Sequence, residues 1–325
     1  MSYAHREDAL SISSRLFAWI VVFFTFAFLL NNYLTHWRDW PGALQVFSGG
    51  SSLSLVQAGI YVAGVILAVF YVLKTAERHL RADCDVIYGI TAYLIRGFFW
   101  AVLLIGIADL LISFLRIEDF LPALVGDEMA TNLGRSNYRG PYVHMPIAAL
   151  GFVIAAFTRG LAFHWLAILV VMAELLIVIS RFIFSYEQAF MADLVRFWYA
   201  ALFLFASAYT LIDEGHVRVD VLYASFGEPR KGIVNAFGSI FLGMSVCLTI
   251  MFFGMGSKSA VVNGPMLIYE TTQASFGLFV KYWMAGFLGI FAISMMIQFA
   301  GFFLEGIADY RGEPNKRAIS PVGAH

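Results

Sequence analysis

Eight apolar runs, each long enough to cross a bilayer, constrain the fold of this 325-residue chain more than any other feature. A helical span takes about 20 mostly apolar residues. The runs fall at approximately residues 16–36, 53–73, 87–115, 141–158, 161–183, 194–212, 233–253 and 280–304. They are continuous and do not alternate, so a membrane β-barrel is excluded, and in lipid each backbone closes its hydrogen bonds within its own helix. The pattern predicts an all-α, polytopic membrane helical bundle of about eight transmembrane helices. Only 13% of residues are charged and 60% are hydrophobic, too little charge to cover a soluble core of this size. The fourth run begins at Pro141, contains Pro146 and meets the fifth at Arg159-Gly160. Merged, the two would exceed any single span even when tilted, so a tight hairpin is expected.

With a cytoplasmic N-terminus, the inside segments hold about twice as many Lys and Arg residues as the outside loops, which predicts both termini in the cytoplasm. The opening MSYAHREDALSISSR mixes acids and bases, and no early small-residue cleavage site follows, so an uncleaved anchor is expected. Cys84, in a charged stretch expected to be a loop, and Cys247, in an apolar run, form no disulfide or metal framework. The segment from Ile117 to Tyr138 carries Glu118, Asp119, Asp127 and Glu128. It reads as a solvated connector or as a contact for a periplasmic partner. A net charge of −1 gives no nucleic-acid footprint.

Ionisable residues inside spans are the candidates for function. Arg96 and Asp109 lie in the third run and Glu174 near the middle of the fifth. Glu174 precedes Arg181 by two helical turns, so the two share a face without touching. Glu174 therefore serves either ion passage or a polar clasp to a neighbouring helix or subunit. Arg181, Asp193 and Arg196 gather at the elbow between the fifth and sixth runs, where Asp193 suits a helix N-terminus and sits three residues before Arg196. A structural hairpin clamp is expected there, with Arg181 or Arg196 as the alternative reach to a partner. Only His164 falls within a run, while His36, His79, His144 and His216 read as ends or loops, so no facing pair is available to ligate a haem. No nucleophile, zinc or phosphate-loop motif is present, and no enzyme is expected.

One stretch is more specific. Arg181, Phe182 and Phe184 end the fifth run, Asp193 and Arg196 open the next, and Gly215, His216, Val217, Arg218, Val219 and Asp220 follow it. This order resembles the DctQ-like small membrane subunit of tripartite ATP-independent periplasmic (TRAP) transporters, over roughly residues 160–310. Where that family shows a double acidic pair, this chain has Ala192 and Asp193. The resemblance implies a four-span domain at 159–310, preceded by an extension of about four spans at 1–158 and followed by a tail at 311–325. It also implies a bacterial inner-membrane subunit, without a cofactor of its own, that scaffolds a large M-type permease subunit. That partner uses a sodium gradient to take up an organic acid delivered by a periplasmic substrate-binding protein. The subunit-interface candidates are Arg181, Asp193, Arg196, His216, Arg218, Asp220 and Glu174, with membrane lipid as the surrounding contact. The competing reading is a self-contained carrier or channel lined by Arg96, Asp109 and Glu174.

Overall fold

The computed structural model describes residues 9–159, 164–212, 222–271, 277–314 and 316. Every long element among them is a helix, and eight are long and apolar enough to span a membrane. They are α1 (Ala9–Trp37), α2 (Ser52–Lys74), α3 (Leu80–Ile117), α4 (Ser136–Phe157), α5 (His164–Phe184), α6 (Ala189–Ile212), α7 (Glu228–Met255) and α8 (Lys281–Arg311). Each expected run lies at one of these helices. Several helices continue beyond the apolar run, and α3 reaches 38 residues. At that length α3 extends about 57 Å, nearly twice a hydrocarbon core of about 30 Å.

Local chemistry explains the helix ends. α3 stops where Asp119 turns left-handed (φ 58) and the Phe120 N–H closes back on the Leu115 carbonyl at 2.9 Å. α5 stops the same way at Ser185 (φ 50), with the Tyr186 N–H on the Ser180 carbonyl at 3.0 Å. α4 starts at Ser136, before Pro141. Residues Gly140–His144 form a π turn, closed by the Met145 N–H on the Gly140 carbonyl. A wide turn of this kind accommodates the proline ring and its missing donor without ending the helix.

The chain divides into two compact units, each drawing helices from both sides of residue 159. The first comprises residues Met1–Thr91, Thr210–Ser257 and Ala292–His325. Within it the buried pair of Arg15 Nε and Asp83 Oδ2 (2.7 Å) ties α1 to the start of α3. The Trp19 indole N–H joins the same carboxylate at 3.1 Å. Arg15 also caps the end of α2 through the Thr75 and Ala76 carbonyls. Cys84 lies in α3, not in a loop, and is buried with its thiol on the Gly301 carbonyl of α8. α7 and α8 meet backbone to backbone at Gly232 and Gly306, where a Cβ on Gly232 would stand 2.5 Å from the Gly306 oxygen. Lys316 bridges Glu228 (2.6 Å) and Asp309 (3.1 Å). Partial burial works against its charge, but the hydrogen bonds to these carboxylates prevail and hold its pKa above the usual lysine value.

The second unit comprises Ala92–Tyr209 and Lys258–Phe291. Its core is aromatic. Phe197 and Phe205 of α6 pack on Phe287 of α8 at ring distances of 5.3 and 5.1 Å, and Phe99, Val102 and Ile105 of α3 belong to the same cluster. α4 seats on α3 at Gly151, where a Cβ would come within 2.6 Å of the Ala101 nitrogen.

Candidate subunit interface and the clasp behind it

Two buried carboxylates fix the chain where it enters α8. The Leu278 N–H donates to Asp193 Oδ2 of α6 at 3.1 Å, and the next N–H, of Phe279, donates to Asp109 Oδ2 of α3 at 2.6 Å. These two amides precede the helix and have no intrahelical partner, so the carboxylates satisfy donors that would otherwise be left unpaired. Leu278 and Val280 are wholly buried beside them.

Asp109 is the hub of a larger network. Its Oδ1 accepts from Arg139 Nη1 at 2.6 Å and lies 3.1 Å from His144 Nε2, while His144 Nδ1 lies 2.8 Å from the Tyr282 hydroxyl. A carboxylate only accepts, so in the neutral ring Nε2 carries the proton and Nδ1 accepts from Tyr282. Arg139 also donates from Nε and Nη2 to the Leu133 carbonyl (2.9 and 2.7 Å) and from Nη1 to the Ser113 hydroxyl (3.4 Å), and it stacks over the Phe279 ring at 4.1 Å. Both oxygens of Asp109 are therefore committed. His144, expected at an end or loop, is in fact buried in the π turn of α4, because the helix runs through Pro141.

The elbow between α5 and α6 differs from the expected three-residue clamp. Arg181 pairs with Glu187 at 3.4 Å, and both side chains are more than half exposed. Such a pair contributes about 0–1 kcal/mol. Arg196 lies 3.4 Å from Asp193, but the pair is unequal: the Arg196 side chain is 71% exposed and the Asp193 side chain 6%. Asp193 faces inward to the Leu278 amide, leaving most of the Arg196 guanidinium outward. Glu174 is exposed on α5. Arg96 is half-buried in α3, and its Nε–H is shut away from solvent without a hydrogen-bond partner.

Residues 167–309 match the family model described as "Tripartite ATP-independent periplasmic transporters, DctQ component". This part of the chain is a DctQ domain. Searches of curated proteins and of solved structures returned no match. The match covers less than half of the 325-residue chain, and eight helices among the described residues are long and apolar enough to cross a membrane.

Within the DctQ domain the specific exit, His216, Arg218 and Asp220, lies outside the described residues. Asp193, Arg196 and Arg181 are at the elbow, and Glu174 is half a helix away on α5. Sequence reasoning missed Arg139, His144 and Tyr282, which surround Asp109. Asp109 was itself visible as an acid in a span, but its partners lie 30, 35 and 170 residues further on. Among the described residues, no group of three His, Cys, Asp or Glu side chains is placed to hold a metal ion.

Proposed function

We propose that this chain is the non-catalytic scaffold subunit of a TRAP transporter, steadying a large sodium-coupled M-type permease subunit. That subunit would take up an organic acid handed over by a periplasmic binding protein. Both termini and the His216–Asp220 exit would face the cytoplasm. The observation that carries the reading is the saturation of Asp109: Arg139, His144 and the Phe279 amide occupy both carboxylate oxygens. An acid committed in this way offers no vacant site to a passing ion, which argues against the self-contained carrier. The spans before residue 159 extend the scaffold surface in this reading. Purification of the tagged chain from its native membrane should bring down a much larger polytopic protein. Solute or ion flux through vesicles holding this chain alone would overturn the assignment in favour of a carrier.

A further inference from the structure

We propose that the outward face of α5 seats one spanning helix of the large permease subunit, and that Glu174 marks where that helix presents a hydrogen-bond donor. The inference rests on the scaffold reading above. α5 runs His164–Phe184, and Glu174 is its midpoint, about 15 Å from either end. Among the described side chains of α5 only Ala173 is buried, and Val171, Met172, Leu175, Leu176 and Val178 around Glu174 are exposed.

Apolar exposure alone implies no partner, because lipid tails cover leucine as well as protein does. The carboxylate changes the argument. A charged group at a helix centre is unfavourable in hydrocarbon unless another group pairs with it. Among the described residues none makes an ion pair or hydrogen bond with Glu174. The donor must come from another chain.

A second copy of this chain fits poorly. All copies share one orientation in the membrane, so a two-fold axis along its normal keeps each residue at the same depth in both. α5 packed on its own copy would set Glu174 beside Glu174, like charges in a low dielectric. The occupant is therefore a different protein with a Lys, Arg, His or neutral donor at mid-depth. Arg196 adds a second point. It is 71% exposed and stands seven residues into α6, about 10 Å from the elbow that α5 and α6 share. A partner covering the hairpin should carry an acceptor about 5 Å nearer the elbow than its donor.

The test co-expresses the full tagged chain with the large subunit of its own transporter and measures recovery of the large subunit in mild detergent. Relative to wild type, Glu174→Leu should lower recovery about threefold or more, and Glu174→Lys about tenfold or more. Glu174→Gln, which keeps an acceptor oxygen, should stay within about twofold. Thermal stability of the isolated variants should be unchanged or raised, since Glu174 has no partner among the described residues. Cysteine at position 174 should cross-link to mid-span positions of the large subunit and not to itself. Wild-type recovery with no loss in Glu174→Leu or Glu174→Lys would overturn this inference and leave the scaffold reading standing. Failure of the wild-type chain to recover the large subunit would overturn both, and cross-linking of 174 to 174 would replace the partner by a second copy.

Discussion

Removing either partner of the buried Asp109–Arg139 pair should destabilise the protein strongly, and removing both should cost clearly less than the two losses added. The side chains are wholly buried, with 2.6 Å between Arg139 Nη1 and Asp109 Oδ1. In Arg139→Met the carboxylate keeps His144 and the Phe279 amide but loses its counter-charge. In Asp109→Leu the guanidinium keeps Leu133 and the Phe279 ring, while the Phe279 amide and His144 lose their acceptor. Breaking a buried pair from one side costs about 3–5 kcal/mol. At about 2 °C per kcal/mol for a chain of this size, each single variant should lose roughly 5–10 °C in apparent Tm. The double variant removes both charges together and leaves only neutral orphans, the Leu133 carbonyl, the Phe279 amide and the His144 Nε2–H. Each of those costs about 1–3 kcal/mol. The double variant should therefore fall short of the sum of the singles by about 2 kcal/mol or more. Thermal unfolding in detergent, followed by tryptophan fluorescence, measures the cycle. Strictly additive singles, or singles within about 1 kcal/mol of wild type, would refute the claim that this network pins α3, α4 and the entry to α8.

Two other outcomes follow from local geometry. Gly232→Val should cost about 3 kcal/mol or more, because the close approach of α7 and α8 has backbone and not flexible side chain on its far side, and a melting curve of the variant checks it. Burial, together with a 2.7 Å hydrogen bond to Glu118 and that residue's charge, pushes the Tyr186 phenol up to about 12. The folded state thus holds this proton longer than the unfolded chain, so its contribution is intact below about pH 10 and is lost as pH rises towards 12. Over that window the Tm of Tyr186→Phe should fall less steeply than that of wild type.

The spans were legible because an uninterrupted apolar run admits one solution in lipid. Their ends were not, because polar residues continue a helix wherever tertiary partners take them up. α3 begins at Leu80, several residues before its apolar run, with Asp83 held by Arg15 and Cys84 by the Gly301 carbonyl. Pro141 read as a start, and the π turn carried the helix through it. The same turn holds His144, which a hydropathy profile assigns to a boundary. Asp193 was recognised as an acid at the α6 N-terminus, but its acceptor role lies 85 residues away at Leu278, beyond any local spacing rule. Arg15 and Arg139 flank apolar runs, where a hydropathy profile reads a charge as solvated, yet both are buried in ion pairs.

The extension before residue 159 and the DctQ domain depend on each other, and the polar bonds between them say how strongly. In one unit, Tyr88 of α3 donates to Glu305 of α8 at 2.6 Å and Arg81 pairs with Asp309 at 2.8 Å. In the other, the Trp198 indole N–H of α6 reaches the Val102 carbonyl at 3.3 Å, and the Phe279 amide depends on Asp109. Deleting residues 1–158 would return apolar contacts to lipid at little cost, since hydrocarbon replaces hydrocarbon. The polar groups have no such substitute. Trp198 and the Phe279 amide, buried in the second unit, would each be orphaned at about 1–3 kcal/mol, Glu305 would lose the Tyr88 hydroxyl, and Asp309 would lose Arg81 and keep only Lys316. The truncated DctQ domain should therefore fail to give a monodisperse peak on size exclusion where the full chain succeeds. A truncated domain with the full chain's Tm would refute this and make the extension a separable appendage. In the expected case α3 is as much a part of the DctQ scaffold as the helices inside the matched residues, because it supplies the acceptors that those helices lack.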